Sequence, residues 1–205
     1  MSFFEIFYPK KHINNVLDIE YNFLQENGIE ALLLDIDNTL IDYDNNLLEG
    51  LENWVENLKK KKIKFCILSN TNKKQKAENL SKKFDIPYVF LATKPFKRGF
   101  YKAKEILNIQ DNAKIAVVGD QIMTDVLGAN RCKMYSILVT PIKNKDIFVT
   151  KINRVIEKKI LKKYYKDKMK DKRDTNVHKW YKYFIFFRNR NFRIISRAVC
   201  RLVQY

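Results

Sequence analysis

Three aspartates crowd into LLLDIDNTLID, residues 32–42, at Asp35, Asp37 and Asp42. Carboxylates this close raise each other's cost of ionisation unless a cation or a proton lies between them. Two more acidic residues, Asp120 and Asp125, stand in GDQIMTD behind another apolar run, Ser69-Asn70-Thr71 closes a third, and Lys94-Pro95 follows a fourth. If these runs are neighbouring parallel strands, Asp35, Asp37, Ser69, Lys94, Asp120 and Asp125 converge as four carboxylates with one ammonium. A hard cation with oxygen ligands, Mg²⁺ above all, is the simplest compensation for such a cluster. The chemistry that fits is phosphoryl transfer. One aspartate binds the metal and attacks phosphorus, the other faces the leaving group and carries its proton, and the lysine neutralises the transferring group.

The elements that would position these residues are short, nearly continuous apolar runs: residues 29–35, 63–69, 87–92, 114–120 and 135–140. That pattern belongs to parallel strands buried on both faces. Helical faces alternate with them, one built from Leu48, Leu51, Trp54, Val55 and Leu58, another from Phe100, Ala103, Ile106 and Leu107. The expectation is a three-layer α/β domain with a parallel five-stranded sheet and right-handed crossovers, its core over about residues 20–145 of a domain spanning 1–150. In such sheets ligands bind beyond the carboxyl ends of the strands, where every polar group named above falls.

Composition excludes several alternatives. The net charge of +17 over 205 residues resembles a nucleic-acid signature, yet residues 1–150 carry only +3 and residues 151–205 carry +14. Cys66, Cys132 and Cys200 form no CxxC pair and are odd in number, which points to a reducing cytoplasm. No signal peptide, long apolar span, GxGxxG or GxxxxGK[ST] motif is present.

With the motifs DIDNTL, SNT, KP and GDQIMTD in order at four strand ends, the chain resembles the haloacid-dehalogenase-type (HAD) phosphatases. FYPKKHINNVLDI, ATKPFKRGFYKA, VVGDQIMTDVLGANR and NRVIEKKIL further resemble the YqeG-like subgroup, subclass IIIA, related to the phosphatidylglycerophosphate phosphatases of mitochondria and plastids. The resemblance covers about residues 5–165 and implies a Rossmann-like fold and an aspartyl-phosphate mechanism with Mg²⁺. It implies Asp35 as nucleophile and metal ligand, and Asp37 as acid/base with its backbone carbonyl on the metal. Thr39, Ser69 and Asn70 are implied in binding the substrate phosphate, Lys94 in stabilising nucleophile and transition state, and Asp120 in ligating the metal with Asp125 in support. Plainer roles compete: Ser69-Asn70 as a helix cap, Asp125 as the cap of a helix near Thr124, Lys94 as a surface lysine. His12 and His178 read as surface residues.

Thr39 to Ile63 and Asn70 to Lys94 leave no room for an inserted cap domain. An open site suits phosphate carried on something large, and a phospholipid head group is the expected substrate, with a soluble or protein-bound phosphate as the alternative. Residues 151–170 read as a basic amphipathic helix packed on the domain. In 171–205, Trp180 to Phe187 is followed by five arginines between Arg188 and Arg201. That tail is compatible with an anionic membrane, with internal or subunit packing, or with nucleic acid as part of a non-catalytic RNA- or ribosome-associated protein. The expected address is cytoplasmic, peripheral on the inner face of the membrane if the tail binds lipid.

Overall fold

The computed structural model describes residues 3–142 and 148–170. The chain divides into two compact units, Met1–Asp146 and Ile147–Tyr205. The first unit contains one parallel sheet. Its strands are β1 (Lys11–Ile13), β2 (Ala31–Leu34), β3 (Lys64–Leu68), β4 (Tyr88–Val89), β5 (Ile115–Gly119) and β6 (Tyr135–Val139), in the order β1-β6-β5-β2-β3-β4. The helices of this unit are α1 (Tyr21–Glu26), α2 (Leu51–Lys60), α3 (Lys74–Phe84), α4 (Lys97–Leu107) and α5 (Leu127–Arg131).

Strand β2 shows why the sheet sits in the middle. All four of its residues are buried, and alternate side chains enter opposite cores. Leu32 and Leu34 join Leu51, Val55 and Leu58 of α2 and Ala77, Leu80 and Phe84 of α3, whereas Ala31 and Leu33 join Phe100, Ala103 and Leu107 of α4 and Ala129 of α5. Three layers follow from that alternation. From β2 the chain runs outward through β3 and β4, then returns to place β5 on the other side of β2. The β2–β5 boundary is therefore the topological switch point, where open α/β sheets form their ligand crevice.

Three expectations need correction. The sheet has six strands, because the segment before residue 20 adds β1 along β6, pairing Lys11 with Ile137, His12 with Leu138 and Ile13 with Val139. A three-residue edge strand is too short to show a period. His12 is accordingly half-buried on β1 rather than a surface residue, and burial depresses its imidazole pKa to about 4. On α4, Phe100, Ala103 and Leu107 line the buried stripe, but Ile106 lies outside it and is 45% exposed. His178 and the whole 171–205 tail lie outside the described residues.

The second unit holds α6 (Phe148–Lys170), with Ile160, Tyr164 and Tyr165 buried and the two tyrosine rings meeting edge to face at 5.1 Å. Among the described residues no helix is long and apolar enough to cross a membrane.

Gly128 on α5 lets the Phe100 ring of α4 approach closely; a Cβ there would lie 2.3 Å from the ring's Cζ. Gly128→Ala should cost about 1–3 kcal/mol by this overlap, and adding Phe100→Leu should recover part of the loss. Urea denaturation of the single and double variants measures both effects.

Candidate active site

The site begins where β2 ends. The Asp35 N–H donates to the Val118 carbonyl at 2.9 Å, carrying the β2–β5 pairing one residue beyond the strand. The chain then turns over Ile36, whose carbonyl accepts from the N–H groups of Thr39, Leu40 and Ile41. Asn38 takes a left-handed conformation (φ 59°), and isolated bridges join Asp37 to Ile41 and Ile41 to Leu47. Asp42, the third aspartate of the opening cluster, closes this small hairpin. Its carboxylate accepts from the Asp44 and Asn46 N–H groups, each at 2.9 Å, and from the Asn46 side-chain amide at 3.1 Å. Asp42 is a structural residue.

Lys94 reaches the same point from the β4–α4 loop. Its ammonium lies 2.6 Å from Asp35 Oδ1, 2.6 Å from Asp125 Oδ1 and 2.9 Å from the Leu68 carbonyl at the end of β3. It is no surface lysine, since its side chain is only 3% exposed. Asn70 holds the backbone of this residue from both sides, accepting the Lys94 N–H on Oδ1 at 2.7 Å and donating from Nδ2 to the Lys94 carbonyl at 2.9 Å. The Asn70 amide, expected at the phosphate, is engaged by Lys94 through both its oxygen and its nitrogen.

Behind β5, Gln121 leads into a π-helical turn, Ile122–Val126. The turn carries Asp125 back over the strand end, where its Oδ2 accepts from the Gln121 N–H at 3.2 Å and the Thr124 hydroxyl at 3.4 Å. Gly119 makes this possible, because a Cβ at that position would meet the Asp125 carboxyl carbon at 2.2 Å. The need for this glycine could not be inferred before the Asp125 side chain was placed. Both Asp125 oxygens are thus engaged, Oδ1 with the Lys94 ammonium and Oδ2 with its own turn.

Carboxylate oxygens of Asp35, Asp120 and Asp125 lie within 4.8 Å of one another, all three residues buried. Three carboxylates against the Lys94 ammonium leave a formal charge of −2 when all are ionised, the charge one divalent cation neutralises. All-oxygen donors of this kind fit Mg²⁺. Asp37 stands apart from the three. Its carboxylate, half exposed, pairs with Lys76 on α3, a residue with no distinguishing signal among the chain's 31 lysines. Thr39 is buried, and its hydroxyl has no hydrogen-bond partner among the described residues. The Ser69 hydroxyl accepts from the Thr71 N–H at 3.1 Å; it does not cap α3, which starts at Lys74 without a side-chain cap.

Burial pushes the Asp35 carboxyl up to about 7; Lys94 pulls it down, and Asp125 and Asp37 push it further up. For Lys94, burial favours the neutral amine, but Asp125 and Asp35 outweigh it and hold the ammonium pKa above that of an ordinary lysine. Burial thus dominates at Asp35, and the two neighbouring carboxylates dominate at Lys94.

A family model described as mitochondrial PGP phosphatase matches residues 4–142. The chain is 34% identical over 158 residues to the probable phosphatase YqeG of Bacillus subtilis (strain 168), covering 77% of this chain and 91% of that protein. Among solved structures it is similar to the cobalt-bound deoxy-D-mannose-octulosonate 8-phosphate phosphatase YrbI of Haemophilus influenzae, with TM-score 0.40 and 14% identity over 48% of this chain and 61% of that one. A putative beta-phosphoglucomutase from Thermotoga maritima aligns with TM-score 0.43 and 17% identity over 61% and 92% of the respective chains.

Lys94→Met should cost about 3–5 kcal/mol in chelator at neutral pH, because it strands buried carboxylates, and urea denaturation beside the parent measures the loss. Asp35 also gives a pH signature. Folding raises its pKa from 3.8 to about 7, so its contribution to stability is fully present below pH 4 and lost as pH rises to about 7. Denaturation in chelator should therefore show the parent losing stability relative to Asp35→Asn across that window.

Proposed function

We propose, for a chain that belongs to the mitochondrial PGP phosphatase family, that it hydrolyses the terminal phosphomonoester of phosphatidylglycerophosphate through a covalent intermediate on Asp35. The chain is a phosphatase of the HAD type. The observation that carries the mechanistic reading is the Lys94 ammonium fixed at 2.6 Å from both Asp35 and Asp125, with Asp120 in the same buried cluster.

Attack by an Asp35 carboxylate oxygen forms a bond to phosphorus and breaks the P–O bond to the glycerol oxygen. Asp37, outside the carboxylate cluster and half exposed, pairs with Lys76 as a carboxylate; in its protonated form it gives its proton to that oxygen as it leaves. The same residue then takes a proton from water attacking the acyl phosphate, which releases inorganic phosphate and restores Asp35. Lys94 stays charged throughout and stabilises the equatorial oxygens of the transferring group. The Ser69 hydroxyl and the buried Thr39 hydroxyl would donate to phosphate oxygens. Asp35 and Asp120, with Asp125 in support and the Asp37 backbone carbonyl as a further donor, would hold Mg²⁺. When bound, that ion neutralises charge on the phosphoryl group.

The lipid reading is supported by the family description and by the segments flanking the site. After Asp37 comes only a short hairpin and α2, and after Asn70 only α3 and β4. Neither supplies a cap to enclose a small substrate, so a head group presented at a surface can enter.

Asp35→Asn should abolish Mg²⁺-dependent phosphate release from phosphatidylglycerophosphate in detergent micelles. Asp37→Asn should slow that reaction by about 10²–10⁴-fold, and much less for an aryl phosphate whose phenolate leaves unaided. Undiminished turnover by Asp35→Asn would overturn the mechanism. A parent enzyme that ignores the lipid and prefers a soluble ester would overturn the substrate.

A further inference from the structure

We propose that the loop carrying Lys94, together with the first two turns of α4, is the surface by which this enzyme seats itself on an anionic phospholipid bilayer. This inference rests on the lipid reading of the substrate given above. It is independent of the basic tail at residues 171–205.

The loop, residues 90–96, leaves the carboxyl edge of the sheet and sorts its side chains sharply. Ala92 and Lys94 are buried, while Leu91 is 52% exposed and Phe96 is 50% exposed. The backbone that produces this arrangement is well tied. The Leu91 N–H donates to the Thr71 carbonyl, the Ala92 N–H to Ser69 and the Phe96 N–H to Thr93. Leu91 and Thr93 both occupy the left-handed region, at φ 48° and 54°. Non-glycine side chains rarely adopt that conformation, and here it holds a large apolar residue in solvent. Gly99 of α4 lies directly beneath, since a Cβ there would come within 2.3 Å of the Ala92 carbonyl oxygen. Loop and helix start are thus packed backbone to backbone.

Between them is a cavity of about 200 Å³ whose lining includes Leu91 and Thr93 from the loop and Arg98 and Lys102 from α4. Arg98 and Lys102 are exposed, as is Lys97, and none of the three is ion-paired among the described residues. From Ile86 to Lys104 the sequence has no acidic residue. Exposed apolar side chains beside unneutralised cations are what the interface of an anionic bilayer binds: the apolar groups enter the acyl boundary and the cations meet lipid phosphates. A protein partner or RNA would also accept the cations. The continuity of this surface with Lys94 favours the bilayer, because docking here would bring the uncapped site to the plane where the substrate's head group lies.

The test uses the full chain and flotation with vesicles of phosphatidylcholine alone or with added phosphatidylglycerol, which reads binding without turnover. Leu91→Ser/Phe96→Ser should weaken binding to the mixed vesicles by about tenfold or more, and Arg98→Glu/Lys102→Glu should remove the preference for them over phosphatidylcholine. Both variants should lose turnover of phosphatidylglycerophosphate in vesicles while keeping parental turnover of a soluble phosphomonoester, which also confirms that they fold. The proposal is overturned if the parent does not float, if both variants float as the parent does, as they would were the tail the anchor, or if the four residues prove to bind RNA in place of vesicles. Failure of the substrate reading looks different: the parent floats, responds to these substitutions and still does not hydrolyse the lipid in vesicles or micelles.

Discussion

An ammonium group shared between two buried carboxylates is the constraint around which this molecule is organised. Lys94 lies within 2.6 Å of Asp35 and Asp125, on the carboxyl edge of a parallel sheet and almost wholly out of water. Buried charges are tolerated only when paired and hydrogen-bonded, and here one cation cannot satisfy the carboxylates around it. Burial raises the pKa of Asp35 toward neutrality, with Asp125 and Asp37 adding to the rise, while the two carboxylates keep Lys94 charged.

Several features that look independent serve the placement of that one group. Asn70 grips the Lys94 backbone from the end of β3, and the Leu68 carbonyl takes the third position around its ammonium. The missing side chain at Gly119 lets Asp125 fold back over β5. Asp42 ties the hairpin that follows Asp37. The strand order supplies the rest, because β2 and β5 are neighbours only by virtue of the reversal at the switch point, and that adjacency brings Asp35 and Asp120 together across 85 residues.

Much of this was legible beforehand because buried parallel strands leave an unmistakable mark. Runs such as IEALLLD and KIAVVGD are apolar on both faces and end in charge, so their carboxyl ends could be set side by side without coordinates. What stayed hidden depends on side-chain direction or on elements too short to carry a period. β1 has three residues, and the π-turn that swings Asp125 over its strand looks like an ordinary helix start. Asn70 could be read as a cap or as a phosphate ligand, but only its two bonds to Lys94 show what its amide does. The Lys76–Asp37 pair illustrates a different barrier: where lysine is common, the one lysine that meets Asp37 cannot be told from the others.

The edge strand β1 has a kinetic meaning as well. Its partner β6 lies more than 120 residues further along the chain, and the Asn130 amide reaches back to the Ile6 and Tyr8 carbonyls to hold the segment before it. Contacts so distant in sequence form late, after the cost of closing the intervening chain has been met. During synthesis β1 must therefore wait, unpaired, until the chain as far as β6 has been made, and its docking there completes the sheet.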